Sequence, residues 1–383
     1  MRPGQIAVVG AAETSRLGVL PELSTLELHA EASLAAIADA GLTPADIDGI
    51  TSARPIPTAV ADRLGIKARW LDGTAVGGGS FMLHVRHAAA AIAAGHASAV
   101  LISHGESGRS RVGMDMLHDE AANSARGQFE MPYGALPAYA AFTPPVLRFL
   151  HDRGMSRTDL AEVVVAQRRW AAPNPRAARR DETTVDEVLG GKEVAYPFTR
   201  DMCCVVTDGG GAVVLTSAER AADLRTADRP VYLLGAGEAN GTSMVSQMDD
   251  LGSFAGFRTS AQEAFHTAGI QHSDVDHLMG YDAFAHLPLY MLEDLGFVGR
   301  GESGAFIAEG HTSPGGRLPM NTNGGGLNYT HTGMYGMFAI LEAVRQLRRE
   351  ACQQVPGVTI SFVQGIGGFF RSAGSLVLSN RQP

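Results

Sequence analysis

The chain has 383 residues and is 45% hydrophobic, so it can bury a large core and is too long for one ordinary domain. Its net charge of -9 argues against a nucleic-acid-binding surface, and no segment approaches the ~18 unbroken apolar residues of a membrane span. Cys203 and Cys204 are adjacent, and with one further cysteine they form neither a disulfide framework nor a zinc spacing. We therefore expect a cytoplasmic protein with no membrane span and no nucleic-acid partner.

The first elements along the chain are repeated in its second part. The run "IAVVGAAET" from Ile6 and the run "VYLLGAGEA" from Val231 both predict a buried strand that ends in small residues and a glutamate. Each is followed by an amphipathic helix closed by Ala-Gly, a turn, an Asp-x-Asp and a further apolar strand. The order of elements is the same in both places.

A third correspondence links the segment near Ser80 with the segment near His331. In both, a glycine-rich approach leads into a long helix, then into a strand of β-branched residues with a glycine-rich end. These matches predict two similar β-α-β-α-β halves, residues 1–225 and 226–383, packed back to back. The functional loops should meet between the halves.

Residues 108–200 interrupt the repeat with "MPYGALPAYAAFTPP", a charged helix and the polar run "APNPRAARRDETT". Plain connections are much shorter than this, so we predict a lid or a substrate-binding loop. A structural or dimerising insertion is the alternative.

Four ordered segments, "AAAAIAAGHASAVLISHGES", "VTDGGGAVVLTSAERA", "YDAFAH" and "NTNGGGLNYTHTGM", make the chain resemble the thiolase superfamily. Within it, the chain is similar to the lipid-transfer-protein-like branch related to the sterol-carrier-protein thiolases. The resemblance covers nearly the whole chain. It implies an α/β thiolase fold with duplicated halves in a layered α/β/α/β/α arrangement.

The resemblance also implies which residues stand at the thiolase catalytic positions. Gly78 occupies the position of the nucleophilic cysteine, and Gly365 in "GIGG" occupies that of the second cysteine. The histidine is retained as His331. Tyr281 replaces the polar first residue of the Asn-Glu-Ala-Phe segment. Both thiols are therefore missing, and a phenol and an imidazole remain.

Without a cysteine, no acyl group can be captured by the protein, but an enolate can still form. The branch that lacks both cysteines includes steroid side-chain aldolases. We therefore predict a retro-aldolase that cleaves a 3-hydroxyacyl-CoA with a bulky, steroid or aromatic, side chain to a ketone or aldehyde plus acetyl-CoA or propionyl-CoA. Tyr281 and His331 are the predicted acid and base, and the sequence does not choose between them. A helix beginning at His331 would keep its imidazole neutral.

Further residues are predicted to bind substrate or to shape the site. Ser80 is alternatively a helix N-cap, and Tyr329 is alternatively a core residue. His104 and His286 are predicted to be hydrogen-bonded structural histidines, and the arginines of "RRW" and "RAARR" either hold the nucleotide end of CoA or form a solvated face. The predicted substrate-binding set is Gly78, Gly79, Ser80, Tyr329, Gly365 and Gly367.

Two other functions compete with the aldolase: a catalytically silent subunit that binds acyl-CoA, and an acyltransferase or thiolase of unusual mechanism. No metal and no cofactor are expected, because the substrate itself carries coenzyme A. The resemblance implies a homodimer and a small partner with an OB-fold and a zinc ribbon, which together would form a heterotetramer.

Overall fold

The structure, a computed structural model, describes residues 2–113, 123–135, 138–224 and 229–383. The strands in these ranges are β1 (Ile6–Glu13), β2 (Gly49–Ser52), β3 (Trp70–Asp72), β4 (Ala99–Ser107), β5 (Glu193–Ala195), β6 (Phe198–Thr199), β7 (Asp208–Ser217), β8 (Val231–Asn240), β9 (His277–Gly280), β10 (Ile360–Gly367) and β11 (Ser372–Ser379). The α-helices there are α1 (Thr25–Asp39), α2 (Pro57–Leu64), α3 (Ser80–Ala93), α4 (Ala125–Phe129), α5 (Ala138–Arg153), α6 (Arg157–Ala171), α7 (Val185–Gly190), α8 (Ala218–Ala222), α9 (Ala255–Ala268), α10 (His286–Asp294), α11 (Ser303–Ala308), α12 (Gly325–Asn328) and α13 (Gly336–Arg348).

The predicted repeat of elements is present in the structure. Strands β1 and β8 each lead to a helix, α1 or α9, and then to a short buried strand, β2 or β9. Helix α1 begins after Ser24, whose hydroxyl accepts the backbone N–H of Glu27. Helix α9 ends at Gly269, which adopts the left-handed conformation that glycine tolerates best. Local signals of this kind made the repeat visible in the sequence.

The two halves join in one nine-stranded sheet of order β3-β2-β4-β7-β1-β8-β11-β10-β9. Only three residue pairs, from Ile6 with Leu233 to Val8 with Val231, connect β1 to β8 in antiparallel register. Helices α3 and α13 contact each other and strands of both halves, whereas α1 and α9 each pack on the strands of one half. The predicted α/β fold class, with helical layers on a large central sheet, is confirmed.

Almost every side chain of α13 is buried, and so are most of those of α3. A helix that is buried all round lies inside the core and not at its surface. The loops that precede these two central helices therefore approach each other, as the duplicated sequence predicted.

Most of residues 108–200 lies between β4 and β7, and its described part is largely helical, from α4 to α7. Helix α6 packs against α11 and α12 of the second half. The predicted border between the halves, at residues 225 and 226, falls in 225–228, outside the described residues. The division at that point stays a prediction.

The longest α-helix of the described ranges is α5, with 16 residues. Across those ranges, no helix combines the length and the apolar character that crossing a bilayer requires.

Candidate active site

The ring of Tyr281 fills the space beside Gly78. A β-carbon added to Gly78 would overlap the Tyr281 ring atoms, so a glycine is required at this position for as long as the tyrosine is present. Gly78 lies two residues before helix α3. Tyr281 directly follows strand β9 and is held there because its backbone N–H donates to the carbonyl of Gln364 at 2.9 Å. The phenol thus occupies the position at which the resemblance places a cysteine.

Tyr281 and His331, which are far apart in the sequence, meet through a hydrogen bond. The Tyr281 Oη lies 2.9 Å from the His331 Nε2, and the two rings are nearly perpendicular. Burial raises the pKa of the Tyr281 phenol, and the nearby Cys204 and Glu106 raise it further. Burial lowers the pKa of His331 to about 4. At neutral pH, a protonated phenol therefore donates to a neutral imidazole.

The predicted cause of the neutral imidazole was wrong. His331 does not begin a helix but lies in the loop between α12 and α13, five residues before Gly336. Its lowered pKa comes from burial, with only 9% of the residue exposed, and not from a helix dipole. The loop is fixed on both sides of the histidine, because Thr207 Oγ1 accepts the His331 backbone N–H at 3.1 Å and the Thr207 backbone N–H donates to the His331 carbonyl at 3.2 Å.

The other predicted glycines bring the two halves into backbone contact. A β-carbon on Gly365 would press on Met82 and on the Gly79 backbone, and one on Gly367 would overlap the Val76 carbonyl. The glycine-rich end of β10 therefore packs directly on the loop that precedes α3. Substrate binding by Gly78, Gly79, Gly365 and Gly367 stays a prediction.

Ser80 has a different local role from the N-cap that its position suggested. Helix α3 is capped by Gly79, and Ser80 is the first helical residue. Its buried hydroxyl donates to the Gly77 carbonyl at 2.6 Å and accepts the Val76 N–H at 3.0 Å. The side chain therefore closes the glycine loop on itself, and the hydroxyl is already engaged there.

Tyr329 lines a pocket of about 560 Å³, and Arg176 and Thr207 line it too. The phenol of Tyr329 donates to the Glu13 carboxylate. The same carboxylate forms ion pairs with Arg176 at 2.7 Å and with Arg345 at 2.9 Å. Burial alone would raise the Glu13 pKa, but the two arginines outweigh it and hold the pKa below its usual range. The role predicted for Tyr329 in substrate binding is not tested by this arrangement.

Two arginines of the interrupting segment bind the helix that precedes the His331 loop. Arg168 donates to Asn328 Oδ1 at 2.7 Å and Arg179 donates to the Leu327 carbonyl at 3.1 Å. Both guanidinium groups thus bind the end of α12. From the sequence, these arginines were predicted either to bind CoA or to form a solvated face. The sequence did not indicate that they position helix α12.

Asp282 is a residue whose importance the sequence reasoning missed. It is fully buried, and its carboxyl group accepts the backbone N–H of Gly326 at 2.6 Å and that of Leu327 at 3.3 Å. Burial raises its pKa to about 8, although these two backbone donors act in the opposite direction. Asp282 therefore ties the strand end that carries Tyr281 to the glycine-rich loop before His331. The available sequence signal for this contact was the acidic residue in "YDAF" together with the glycine run in "NTNGGG".

The remaining candidate groups are structural. Burial raises the pKa of Cys203 and of Cys204 to about 12, so both thiols stay protonated. His104 Nε2 lies 2.8 Å from Thr332 Oγ1, as predicted for a hydrogen-bonded histidine. His286 differs from the prediction, because within the described residues neither ring nitrogen has a hydrogen-bond partner and aromatic rings surround it.

The part of the chain that the structure describes holds no group of three His, Cys, Asp or Glu side chains arranged to bind a metal ion. The described site brings together a phenol, an imidazole and the start of helix α3, whose N-terminus favours negative charge.

Comparisons with known proteins show the family to which the chain belongs. A family model described as "Thiolase C-terminal domain-like" matches residues 237–380. The chain is 34% identical to a 17-hydroxy-3-oxo-4-pregnene-20-carboxyl-CoA lyase of Mycobacterium tuberculosis, over 94% of this chain and 95% of the relative. It is also 34% identical to a steroid side-chain-cleaving aldolase of Thermomonospora curvata, over 93% of this chain and 94% of the relative.

A solved structure, the Ltp2-ChsH2(DUF35) aldolase, superposes on the chain with a TM-score of 0.91 at 31% identity and covers 100% of both chains. The duplicated fold and the loops that meet between its halves define a member of the thiolase superfamily. Glycines stand at the two positions where the resemblance places the catalytic cysteines. Within that superfamily, the chain belongs to the same family as the mycobacterial lyase and the Thermomonospora aldolase.

Proposed function

We propose that this protein is a retro-aldolase that cleaves a 3-hydroxyacyl-CoA thioester to a ketone or aldehyde and acetyl-CoA or propionyl-CoA. The observation that carries the proposal is the hydrogen bond between Tyr281 and His331 at the position where a thiolase holds its cysteine. The names of two relatives, a CoA lyase and a side-chain-cleaving aldolase, support the same reaction class and a steroid-like side chain.

The reaction needs no acyl acceptor on the protein. The β-hydroxyl loses its proton, the Cα–Cβ bond breaks, and its electron pair forms the enolate of the short thioester while the departing carbon becomes a carbonyl. A proton then adds to the α-carbon. The substrate loses one proton and the product gains one, so the step balances without an oxidant, a metal or a cofactor of the protein.

Tyr281 is suited to deliver the proton to the α-carbon. Its phenol stays protonated because of burial, and His331 orients it by accepting its hydrogen bond. The enolate oxygen would be stabilised at the N-terminus of α3, which begins at Ser80 and favours negative charge.

The assembly is part of the proposal. We propose a cytoplasmic homodimer that binds a small OB-fold and zinc-ribbon protein to form a heterotetramer. The name of the Ltp2-ChsH2(DUF35) aldolase, which joins two components, supports a second chain.

The experiment that tests the function offers a panel of 3-hydroxyacyl-CoAs to the purified chain, alone and with a genetically neighbouring small OB-fold protein. Mass spectrometry would detect the carbonyl product together with acetyl-CoA or propionyl-CoA. Binding of acyl-CoA without any cleavage would support the alternative, a catalytically silent subunit. Transfer of the acyl group to an added thiol would support an acyltransferase.

A further inference from the structure

The proposed cleavage requires two proton transfers at two different atoms, the β-hydroxyl oxygen and the α-carbon. Tyr281 and His331 are bonded to each other through the phenol oxygen and the Nε2. The pair thus shares the one phenol hydrogen, and a single hydrogen can serve only one of the two substrate atoms. A second group is needed at the hydroxyl.

Glu106 lies at the end of strand β4, opposite Gly209 of β7. The residue is buried, with 5% of its surface exposed. Its carboxyl group packs against the backbone of Gly333, where an added β-carbon would overlap it. Gly333 follows His331 by two residues and has a φ of 130°, so both space and backbone conformation restrict this position to glycine.

A cavity of about 150 Å³ opens between these residues. Gly77, Gly333 and Met334 line it, together with Glu106, which supplies a carboxyl group, and Arg54, which supplies a guanidinium group. Gly77 immediately precedes Gly78, which contacts the Tyr281 ring, and Gly333 belongs to the loop that carries His331. The cavity therefore adjoins the glycine loop that contacts Tyr281 and the loop that carries His331.

We propose that Glu106 is a catalytic residue, the base that accepts the β-hydroxyl proton of the substrate in this cavity. The inference rests on the proposed function. The Glu106 carboxylate takes the hydroxyl proton, the Cα–Cβ electron pair moves to the α-carbon, and Tyr281 donates its phenol proton there. The proton on Glu106 then returns to the Tyr281 phenolate through His331 or water, which restores both groups.

The electrostatics of the site agree with this proximity. After burial and the Cys204 thiol, the charge of Glu106 is among the causes that raise the pKa of Tyr281. The Glu106 carboxylate therefore contributes to the electrostatic environment of the phenol.

The test compares two reactions in Glu106→Gln: cleavage of a 3-hydroxyacyl-CoA that the wild type cleaves, and exchange of the α-protons of acetyl-CoA and propionyl-CoA in D₂O. Cleavage needs both Glu106 and Tyr281, whereas exchange needs only Tyr281, the group that acts at the α-carbon. We expect the cleavage kcat to fall about 100-fold to 10,000-fold with little change in KM, while exchange stays within about threefold of the wild-type rate. Tyr281→Phe should lose both reactions.

Glu342→Gln is the matched control, because Glu342 is also a buried glutamate but binds Thr322 and Gln346 instead of lining this cavity. It should leave both reactions near the wild-type rates. If Glu106→Gln does not fold, Glu106→Asp retains the charge, moves it back by one methylene group and should lower cleavage selectively.

Unchanged cleavage in Glu106→Gln would overturn the assignment and leave His331 as the base. A parallel loss of cleavage and exchange would also overturn it, because Glu106 would then act only through Tyr281. A wild-type protein that neither cleaves the panel nor exchanges the α-protons would instead reject the proposed function, and the role of Glu106 with it.

Discussion

The ring of Tyr281 occupies the space that any side chain at residue 78 would need. The phenol and a cysteine nucleophile at this place are therefore mutually exclusive. Gly78 and Tyr281 therefore belong together: the glycine at residue 78 leaves room for the phenol that stands in place of the thiol.

This exclusion predicts the behaviour of Gly78→Ala. The added methyl group should displace the Tyr281 ring, lower the free energy of unfolding by about 1–3 kcal/mol and reduce cleavage strongly. In a Tyr281→Ala background the same change should cost much less, because the ring is gone. Urea unfolding of the four proteins measures this coupling. Gly190→Ala, where the added carbon meets open space, is the control. An equal cost in both backgrounds would contradict the steric argument.

Removing the phenol oxygen should stop the reaction with little loss of structure. Tyr281→Phe should lower kcat by about 100-fold to 10,000-fold, because the general acid is lost while the ring still fills its space. Tyr290→Phe is the matched control, since Tyr290 is also buried but its hydroxyl lies 2.7 Å from the carbonyls of Pro145 and Leu251, which share its hydrogen. Steady-state kinetics and thermal unfolding would separate the two effects. Full activity in Tyr281→Phe would reject its assigned role.

The pH dependence of kcat/KM should reflect the buried imidazole. The pKa of His331 is lowered to about 4, so its neutral, accepting form predominates above that pH and is lost as the pH falls through it. We therefore expect no loss of activity that is due to His331 between pH 7 and pH 5. A pH–rate profile in the wild type checks this, with His331→Gln as the comparison. A limb near pH 6.5 that disappears in His331→Gln would contradict the buried, neutral state.

Acid should destabilise the fold because several buried histidines resist protonation. Burial lowers the pKa of each of them below its usual 6.5, to about 4 for His29, His84 and His331, to about 3 for His277 and His286, and well below 6.5 for His104. The unfolded chain takes up these protons as the pH falls through 6.5, whereas the folded chain does not until its lower pKa is reached. Stability should therefore fall below pH 6.5, by about 1.4 kcal/mol per pH unit for each such histidine.

His286 isolates one of these contributions. It lies among Phe142, Phe198 and Tyr290 without a hydrogen-bond partner on its ring within the described residues. The slope of the free energy of unfolding against pH, between pH 6 and pH 4, should therefore be smaller in His286→Leu by the contribution of about one proton. Chemical unfolding at several pH values measures the slope, and the exposed His266→Leu serves as control. An identical slope in His286→Leu and the wild type would contradict the prediction.

The sequence allowed the larger features to be predicted. Small-residue turns, Ala-Gly helix ends and apolar strands recur in both halves, and these patterns depend on neighbouring residues, so they can be read without a structure. The replacement of both cysteines by Gly78 and Gly365, and the presence of Tyr281 and His331 at matching positions, came from the resemblance to the thiolase superfamily. Ser80 was misjudged because a serine at a helix start is usually a cap, whereas here Gly79 is the cap.

The sequence by itself determined which groups are available: two similar halves, no thiol at either catalytic position, a phenol and an imidazole. Only the tertiary structure decided that Tyr281 and His331 touch, that burial keeps the phenol protonated and the imidazole neutral, and that Glu106 packs against Gly333 in the loop that carries His331. The physical reason is that pKa values and hydrogen bonds depend on desolvation and on distances between side chains that are remote in sequence. No local pattern of residues contains that information.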